Sequence, residues 1–171
     1  MSEAEDRSFL GEDFLTWMWF RSETGKASFE LPGHHSIAVM LDDFLTFGNA
    51  ENEEMVQTLR HGLPTKAPEA GVALRSGRRL ASASLIVAEG DEQWAFTLDA
   101  RKMDYLSVKC PESDEDAIDA SAHGDDTSRI QSFLRLSEIM DGIYRIFLAQ
   151  RLRKEYETQT LPAIRNWVQT R

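Results

Sequence analysis

Six basic side chains flank a predicted β-hairpin in the middle of the chain. They are Arg75, Arg78, Arg79, Arg101, Lys102 and Lys109. If the hairpin forms, these charges gather at one end of a sheet, where Lys and Arg side chains can contact the phosphates of a nucleic acid. The same residues would also suit a solvated rim that the carboxylates of Glu89, Asp91 and Glu92 balance. The spacing alone leaves both interpretations open.

A second group of basic residues lies near the end of a long predicted helix. Its members are Arg145, Arg151, Arg153 and Lys154. Cations at this position stabilise the negative end of the helix dipole. This group therefore needs no ligand to explain it.

Nucleophilic and metal-binding chemistry has little support in the residue pattern. The histidines are His34, His35, His61 and His123. Neighbouring residues of a strand point to opposite faces, so His34 and His35 do not easily chelate one metal ion together. Cys110 is the only cysteine, which excludes an internal disulfide and a zinc site built on cysteines. We therefore predict no metal site and no cofactor.

One set of charged residues is compatible with a magnesium-dependent nuclease. Its members are Asp91, Glu92, Asp99 and Lys102. Two carboxylates can hold a magnesium ion while a lysine orients the attacking water. The spacing is loose, however, and solvated turns of hairpins carry such charges. A nuclease is the third-ranked interpretation, and we predict that the protein is not an enzyme.

The composition is that of a soluble globular domain with an acidic balance. The 171 residues include 19 Lys and Arg against 29 Asp and Glu, a net charge of −10. This balance argues against a wholly basic nucleic-acid binder. No apolar run approaches the roughly 18 residues of a membrane span, and the acidic N-terminus lacks the apolar core of a secretory signal. We therefore predict a cytoplasmic protein that does not bind a membrane.

Hydrophobic periodicity and turn residues predict the elements that position these side chains. We expect a helix over Gly11–Ser22, strands over Ala27–Leu31, His35–Leu41, Phe44–Phe47 and Glu54–Arg60, a short helix from Pro68 with Thr65 as its N-cap, a hairpin of Arg79–Glu89 and Gln93–Leu98, a strand over Tyr105–Lys109, a long helix from Thr127 or Ser128 to about Arg153, and a final helix over Pro162–Val168.

These elements predict an α+β fold. Its antiparallel β-sheet has about five to seven strands, flanked by three or four helices that include a long C-terminal one. Residues 1–110 form the sheet domain, residues 111–127 an acidic linker, and residues 128–171 a helical segment that packs on the same core.

Several stretches resemble the C-terminal half of the RdgC-type recombination-associated proteins. Leu15–Ser22 is similar to that family's Thr-x-Trp helix with its Arg-Ser ending. The segment from Leu63–Thr65 through Leu74–Leu80 is similar to the family's segment of helix, then Gly-Lys, then strand. Trp94–Asp99 resembles its second hairpin arm, and Ile130–Leu148 occupies the place of its terminal helix. The resemblance covers most of the chain through short motifs.

The resemblance implies a nucleoid-associated cytoplasmic protein. Members of the family form ring-shaped homodimers around duplex DNA, bind it with little sequence preference, restrain RecA-driven recombination and are not enzymes. Arg78 matches the family's basic position after the glycine. The family's N-terminal half has no counterpart here, and Asp104, Tyr105 and Ser107 stand where the family tends to place Lys or Arg.

The leading prediction is an RdgC-like, non-enzymatic domain that binds duplex DNA without sequence specificity or regulates recombination. The six basic residues flanking the hairpin would contact phosphates, and Trp17 and Trp19 would pack in the core or at a contact between copies of a homo-oligomer. The alternative is a protein-interaction or DNA-mimic module whose acidic surface, including Pro111–Asp126, engages a basic or DNA-binding partner. The net charge and the missing N-terminal half favour this alternative.

Overall fold

The computed structural model describes residues 3–48, 56–111 and 124–171. Its elements, in chain order, are α1 (Glu3–Glu23), β1 (Ser28–Phe29), β2 (Ile37–Gly48), β3 (Gln57–Arg60), α2 (Pro68–Arg75), β4 (Arg79–Glu89), β5 (Glu92–Asp99), β6 (Asp104–Lys109), α3 (Gly124–Arg151) and α4 (Leu161–Gln169). A 3-10 turn precedes α2 and a π-helical turn precedes α4. Among these residues, no helix is both long and apolar enough to cross a membrane.

The strands form one antiparallel sheet. Its order is β1-β2-β4-β5-β6, and β3 also pairs with β2. Because β1 pairs near the start of β2 and β3 pairs near its end, both short strands fit along the same edge. The described residues therefore have six antiparallel strands and four α-helices, which confirms the predicted α+β class.

The predicted hairpin is confirmed. Strands β4 and β5 pair from Ser82 opposite Asp99 to Glu89 opposite Glu92. Gly90 in the connecting turn has a φ of +59°, a conformation that costs glycine little. The β5 side chains on the buried face are Trp94, Phe96 and Leu98. Their period-two spacing is the pattern that predicted this strand from the sequence.

The prediction of two separate strands before residue 48 is wrong. One strand, β2, runs through Asp42 and Asp43 without ending. The register against β4 shifts between Leu41 and Leu45, so the additional residues form a bulge. The backbone N–H of Phe44 donates a hydrogen bond to the side-chain oxygen of Ser84 at 3.0 Å, which satisfies a donor that the bulge removes from the ladder.

The predicted helix starts also need correction. Helix α1 begins at Glu3, not Gly11. Helix α3 begins at Gly124, ahead of both predicted N-caps. Thr65 lies in the 3-10 turn, and Ala67 occupies the N-cap position of α2 without a side-chain hydrogen bond.

The last helix agrees with its prediction within one residue at each end, and β3 matches the end of the predicted strand over Glu54–Arg60. Residues 54–55 of that strand lie outside the described residues, as does most of the predicted acidic linker Pro111–Asp126.

The core lies on one face of the sheet, around α1. The α1 side chains that are at most 1% exposed are Phe14, Leu15, Trp17, Met18 and Trp19. The Trp17 ring packs at 5.4 Å from that of Phe147 in α3, and the Trp19 ring at 6.1 Å from that of Phe47 in β2. Helix α1 is therefore buried between the sheet and the C-terminal helices.

The opposite face of the sheet has no helix over it within the described residues. Burial alternates along β4 and β5, so every second side chain points away from the core. On this face Met40 is 51% exposed and Leu106 is 49% exposed. Antiparallel sheets commonly leave one face open in this way.

Gly11 is required where α1 crosses the turn after β5. A Cβ at this position would overlap the carbonyl oxygen of Ala100, which is backbone and cannot move aside. We expect Gly11→Ala to lower the free energy of unfolding by about 2–4 kcal/mol despite alanine's better helix propensity. Chemical denaturation of the variant measures this loss.

Gly142→Ala is the matched control. A Cβ at Gly142 in α3 would come within 2.7 Å of Leu31 Cδ1, but that side chain is half-buried and can rotate. We expect a change of less than about 1 kcal/mol. Equal losses in the two variants would contradict the assignment of Gly11 to a backbone contact.

Candidate nucleic-acid interface

Five of the six predicted phosphate-binding residues lie at one end of the sheet. We call this group the cationic end: Arg75, Arg78, Arg79, Arg101 and Lys102. They converge because β4 begins where β5 ends, and the N–H of Ala100 donates to the carbonyl of Ala81 at 2.9 Å. Lys109 does not join them, because it lies opposite Ala95, in the middle of β5.

Two carboxylates of α1 lie against the cationic end. Arg101 Nε donates to Glu12 Oε1 at 2.9 Å, and Arg79 Nε lies 3.9 Å from Glu12 Oε2. Arg79 Nη1 is also 3.6 Å from Asp13 Oδ1. Glu12 is only 4% exposed, so these contacts compensate a carboxylate that would be costly to bury alone. Arg79 and Arg101 therefore stabilise the fold through their contacts with α1.

The second basic group reaches the same end of the molecule. Arg151, at the end of α3, donates through Nη1 to Asp13 Oδ2 at 2.7 Å. Arg153 and Lys154 follow it within three residues and are exposed. Asp13 and Arg151 are 138 positions apart in the sequence. No local pattern marks such a long-range pair.

The remaining arginines of the cationic end have neutral or main-chain partners among the described residues. Arg78 Nη1 donates to the neutral Gln57 side chain at 2.7 Å, and Arg75 donates to the carbonyl of Arg171. The Lys102 side chain is exposed, while its backbone N–H donates to Asp99 Oδ1 at 3.3 Å. Within the described part of the chain, none of these three cations forms an ion pair with an Asp or Glu side chain.

One interpretation of the sequence placed Glu89 on a solvated rim, and this expectation is wrong. It is 2% exposed, and its Oε1 accepts the backbone N–H of His35 at 2.8 Å. His34 Nδ1 lies 3.2 Å from the same oxygen, and Arg135 Nε donates to Oε2 at 3.0 Å. Arg135 also reaches Glu92 at 3.0 Å. The two adjacent histidines thus hold one carboxylate, one through its ring and the other through its backbone.

The acidic residues of the proposed nuclease set are far apart. Asp91 lies in the turn before β5 and Asp99 is the last residue of that strand. Eight residues of extended strand span about 26 Å, too far for both carboxylates to hold one ion. Asp99 instead accepts the backbone N–H groups of Arg101 and Lys102. The described residues contain no group of three or more His, Cys, Asp and Glu side chains able to hold a metal ion.

By its fold, the chain is an α+β protein with a six-stranded antiparallel sheet. Comparison with protein-family models, curated proteins and solved structures finds no match. The resemblance to the RdgC-type proteins therefore stays a prediction.

The contacts of Glu89 predict how stability depends on pH. Burial by itself raises the pKa of Glu89, but hydrogen bonds from His35, His34 and Arg135 outweigh it and hold the pKa below its ordinary value. The ionised carboxylate therefore stabilises the fold above the unfolded-state pKa of about 4.3, and this contribution is lost as pH falls through the lowered value. We expect Glu89→Gln to be destabilised by about 2–4 kcal/mol at pH 7 and to approach wild type at low pH.

Urea denaturation between pH 7 and pH 3 measures this difference. Glu92→Gln is the matched control, because Glu92 contacts the same arginine but its side chain is 45% exposed. An exposed pair contributes at most about 1 kcal/mol, so this variant should stay close to wild type. A Glu89→Gln deficit that does not change with pH would contradict the role of the ionised carboxylate.

Proposed function

We propose that this chain is an RdgC-like, non-enzymatic domain that binds duplex DNA without sequence preference through its cationic end. The observation that carries the proposal is the convergence of basic residues from three parts of the chain. These parts are the α2–β4 junction, the β5–β6 turn and the end of α3. The resemblance described above supports the same function and implies a homo-oligomer on the nucleoid, in the cytoplasm.

The members of the cationic end have different roles on this proposal. Arg78 and Lys102, which pair with no described Asp or Glu side chain, contact phosphates together with Arg75 and the exposed residues that follow Arg151. Arg79 and Arg101 are positioning residues, because their contacts with α1 hold the ends of β4 and β5 in place.

The acidic balance of the chain is compatible with this proposal. With a net charge of −10, the remainder of the surface repels a polyanion, so a duplex is expected to approach only at the cationic end. Contacts between cations and phosphates release condensed counterions and read no base edges. Binding should therefore weaken steeply with salt and be insensitive to sequence.

Reversing the charges of Arg78 and Lys102 tests the proposal. We expect the double variant Arg78→Glu, Lys102→Glu to bind a fluorescent duplex of about 30 base pairs at least tenfold more weakly than wild type. Its plot of log affinity against log salt, from about 50 to 200 mM, should be shallower by about 2, since each phosphate contact contributes about 1. Fluorescence anisotropy measures both quantities, and the thermal midpoint should stay nearly unchanged.

The matched control is the double variant Lys26→Glu, Lys109→Glu. It makes the same change in net charge at two exposed residues outside the cationic end. We expect it to lose less than about threefold in affinity and to keep the wild-type salt slope. Equal losses in both double variants, or no binding by wild type at 50 mM salt, would refute the proposal.

A further inference from the structure

An open depression of about 360 Å³ lies on the face of the sheet that points away from the core. Its floor is the pair Ser84 and Thr97, which are directly opposite each other on β4 and β5. The other lining residues are Asp43, Phe44, Arg60, His61, Leu106 and Ser107. Its volume lies at the lower end of the range for small-molecule sites.

The bulge in β2 builds one wall of the depression. Between Leu41 and Leu45 this strand has two more residues than the facing segment of β4. In a regular strand neighbouring side chains point to opposite faces, but here both Asp43 and Phe44 line the depression. The side-chain oxygen of Ser84 lies 3.0 Å from the backbone nitrogen of Phe44, whose N–H it accepts, and the Ser84 hydroxyl donates to Asp43 Oδ1 at 3.5 Å.

A second irregularity builds the opposite wall. Strand β6 has one extra residue where its register against β5 shifts, and Ser107 there has a φ of +53°. As a result, Leu106 and Ser107 both line the depression. His61, which follows β3 at its border, has a φ of +67°. Such conformations are costly for non-glycine residues and concentrate at functional sites.

Two opposite charges line this depression without pairing. Asp43 and Arg60 form no ion pair with each other or with any other described residue. The Arg60 guanidinium instead lies 5.0 Å from the centroid of the Phe44 ring. Asp43 disfavours a phosphate or any other simple anion, and Arg60 disfavours a simple cation. A ligand that carries both charges satisfies both groups.

We infer that the depression binds a small zwitterion with an apolar side chain, such as a free amino acid. Its ammonium group contacts Asp43 and its carboxylate contacts Arg60, both through charge-assisted hydrogen bonds. Its side chain covers Phe44 and the exposed part of Leu106. The inference does not depend on DNA binding, because none of these residues belongs to the cationic end.

Titration of the full ¹⁵N-labelled chain with L-phenylalanine, followed by NMR, tests the inference. We expect saturable shifts of amide signals around Ser84 and Thr97, with a Kd on the order of 1 mM for so small a ligand in an open site. Two analogues separate the charges: 3-phenylpropionate lacks the ammonium group and phenethylamine lacks the carboxylate. Each should bind at least about tenfold more weakly, the loss expected for one charge-assisted hydrogen bond.

Single substitutions assign the two contacts. Asp43→Asn should weaken L-phenylalanine at least tenfold but bind 3-phenylpropionate as well as wild type or better, because the variant no longer repels an anion. Arg60→Gln should weaken L-phenylalanine but bind phenethylamine as well as wild type or better, because it no longer repels a cation. Asp104→Asn is the control, because Asp104 is exposed on β6 but does not line the depression. Spectra of the free variants establish that each is folded. Equal binding of all three compounds, wild-type affinity in Asp43→Asn, or no saturable shift up to about 10 mM would overturn the inference.

Discussion

Burial of α1 on nearly all sides is the constraint on which the other elements depend. Each of its large buried side chains contributes roughly 2 kcal/mol relative to an exposed position, and five of them are nearly inaccessible. Trp19 packs on Phe47 of β2 and on Trp167 of α4, with ring centroids 6.1 and 5.2 Å apart. The same helix therefore fixes both the sheet and the end of the chain. Its close approach to the β5–β6 turn requires a residue without a side chain at Gly11.

The position of α1 also determines the electrostatics. Glu12 and Asp13 lie where the start of β4, the end of β5 and the end of α3 meet. They therefore contact arginines from three distant parts of the chain, Arg79, Arg101 and Arg151. At the far end of β4, Glu89 accepts hydrogen bonds from the backbone N–H of His35, before β2, and from Arg135 of α3. Each buried carboxylate is held by several donors, as burial of a charge requires. Charged hydrogen bonds thus join elements that also pack through apolar side chains, such as α1 and α3.

The face of the sheet that points away from the core carries few large side chains. With no helix packed against it in the described residues, its side chains are small or weakly polar along most of β4 and β5. The bulge in β2 and the irregular residue in β6 disturb this regularity on both sides of the Ser84–Thr97 pair. A bulge changes the direction of side chains without interrupting the sheet. Here it places the charge of Asp43 and the ring of Phe44 on a face whose other side chains are mostly small.

The sequence by itself determined the elements whose signals are local. The alternation in β5 and the glycine turn before it predicted the hairpin, and the spacing of apolar residues predicted the helices, because both depend on neighbours a few residues apart. Only the tertiary structure decided that β2 is continuous, that Glu89 is buried and that Arg151 meets Asp13. Ser84 on the facing strand accepts the N–H that the bulge in β2 leaves without a ladder partner, and the buried Glu89 is held by donors from other elements. Such partners are separated by tens of residues along the chain, so no local pattern reveals them.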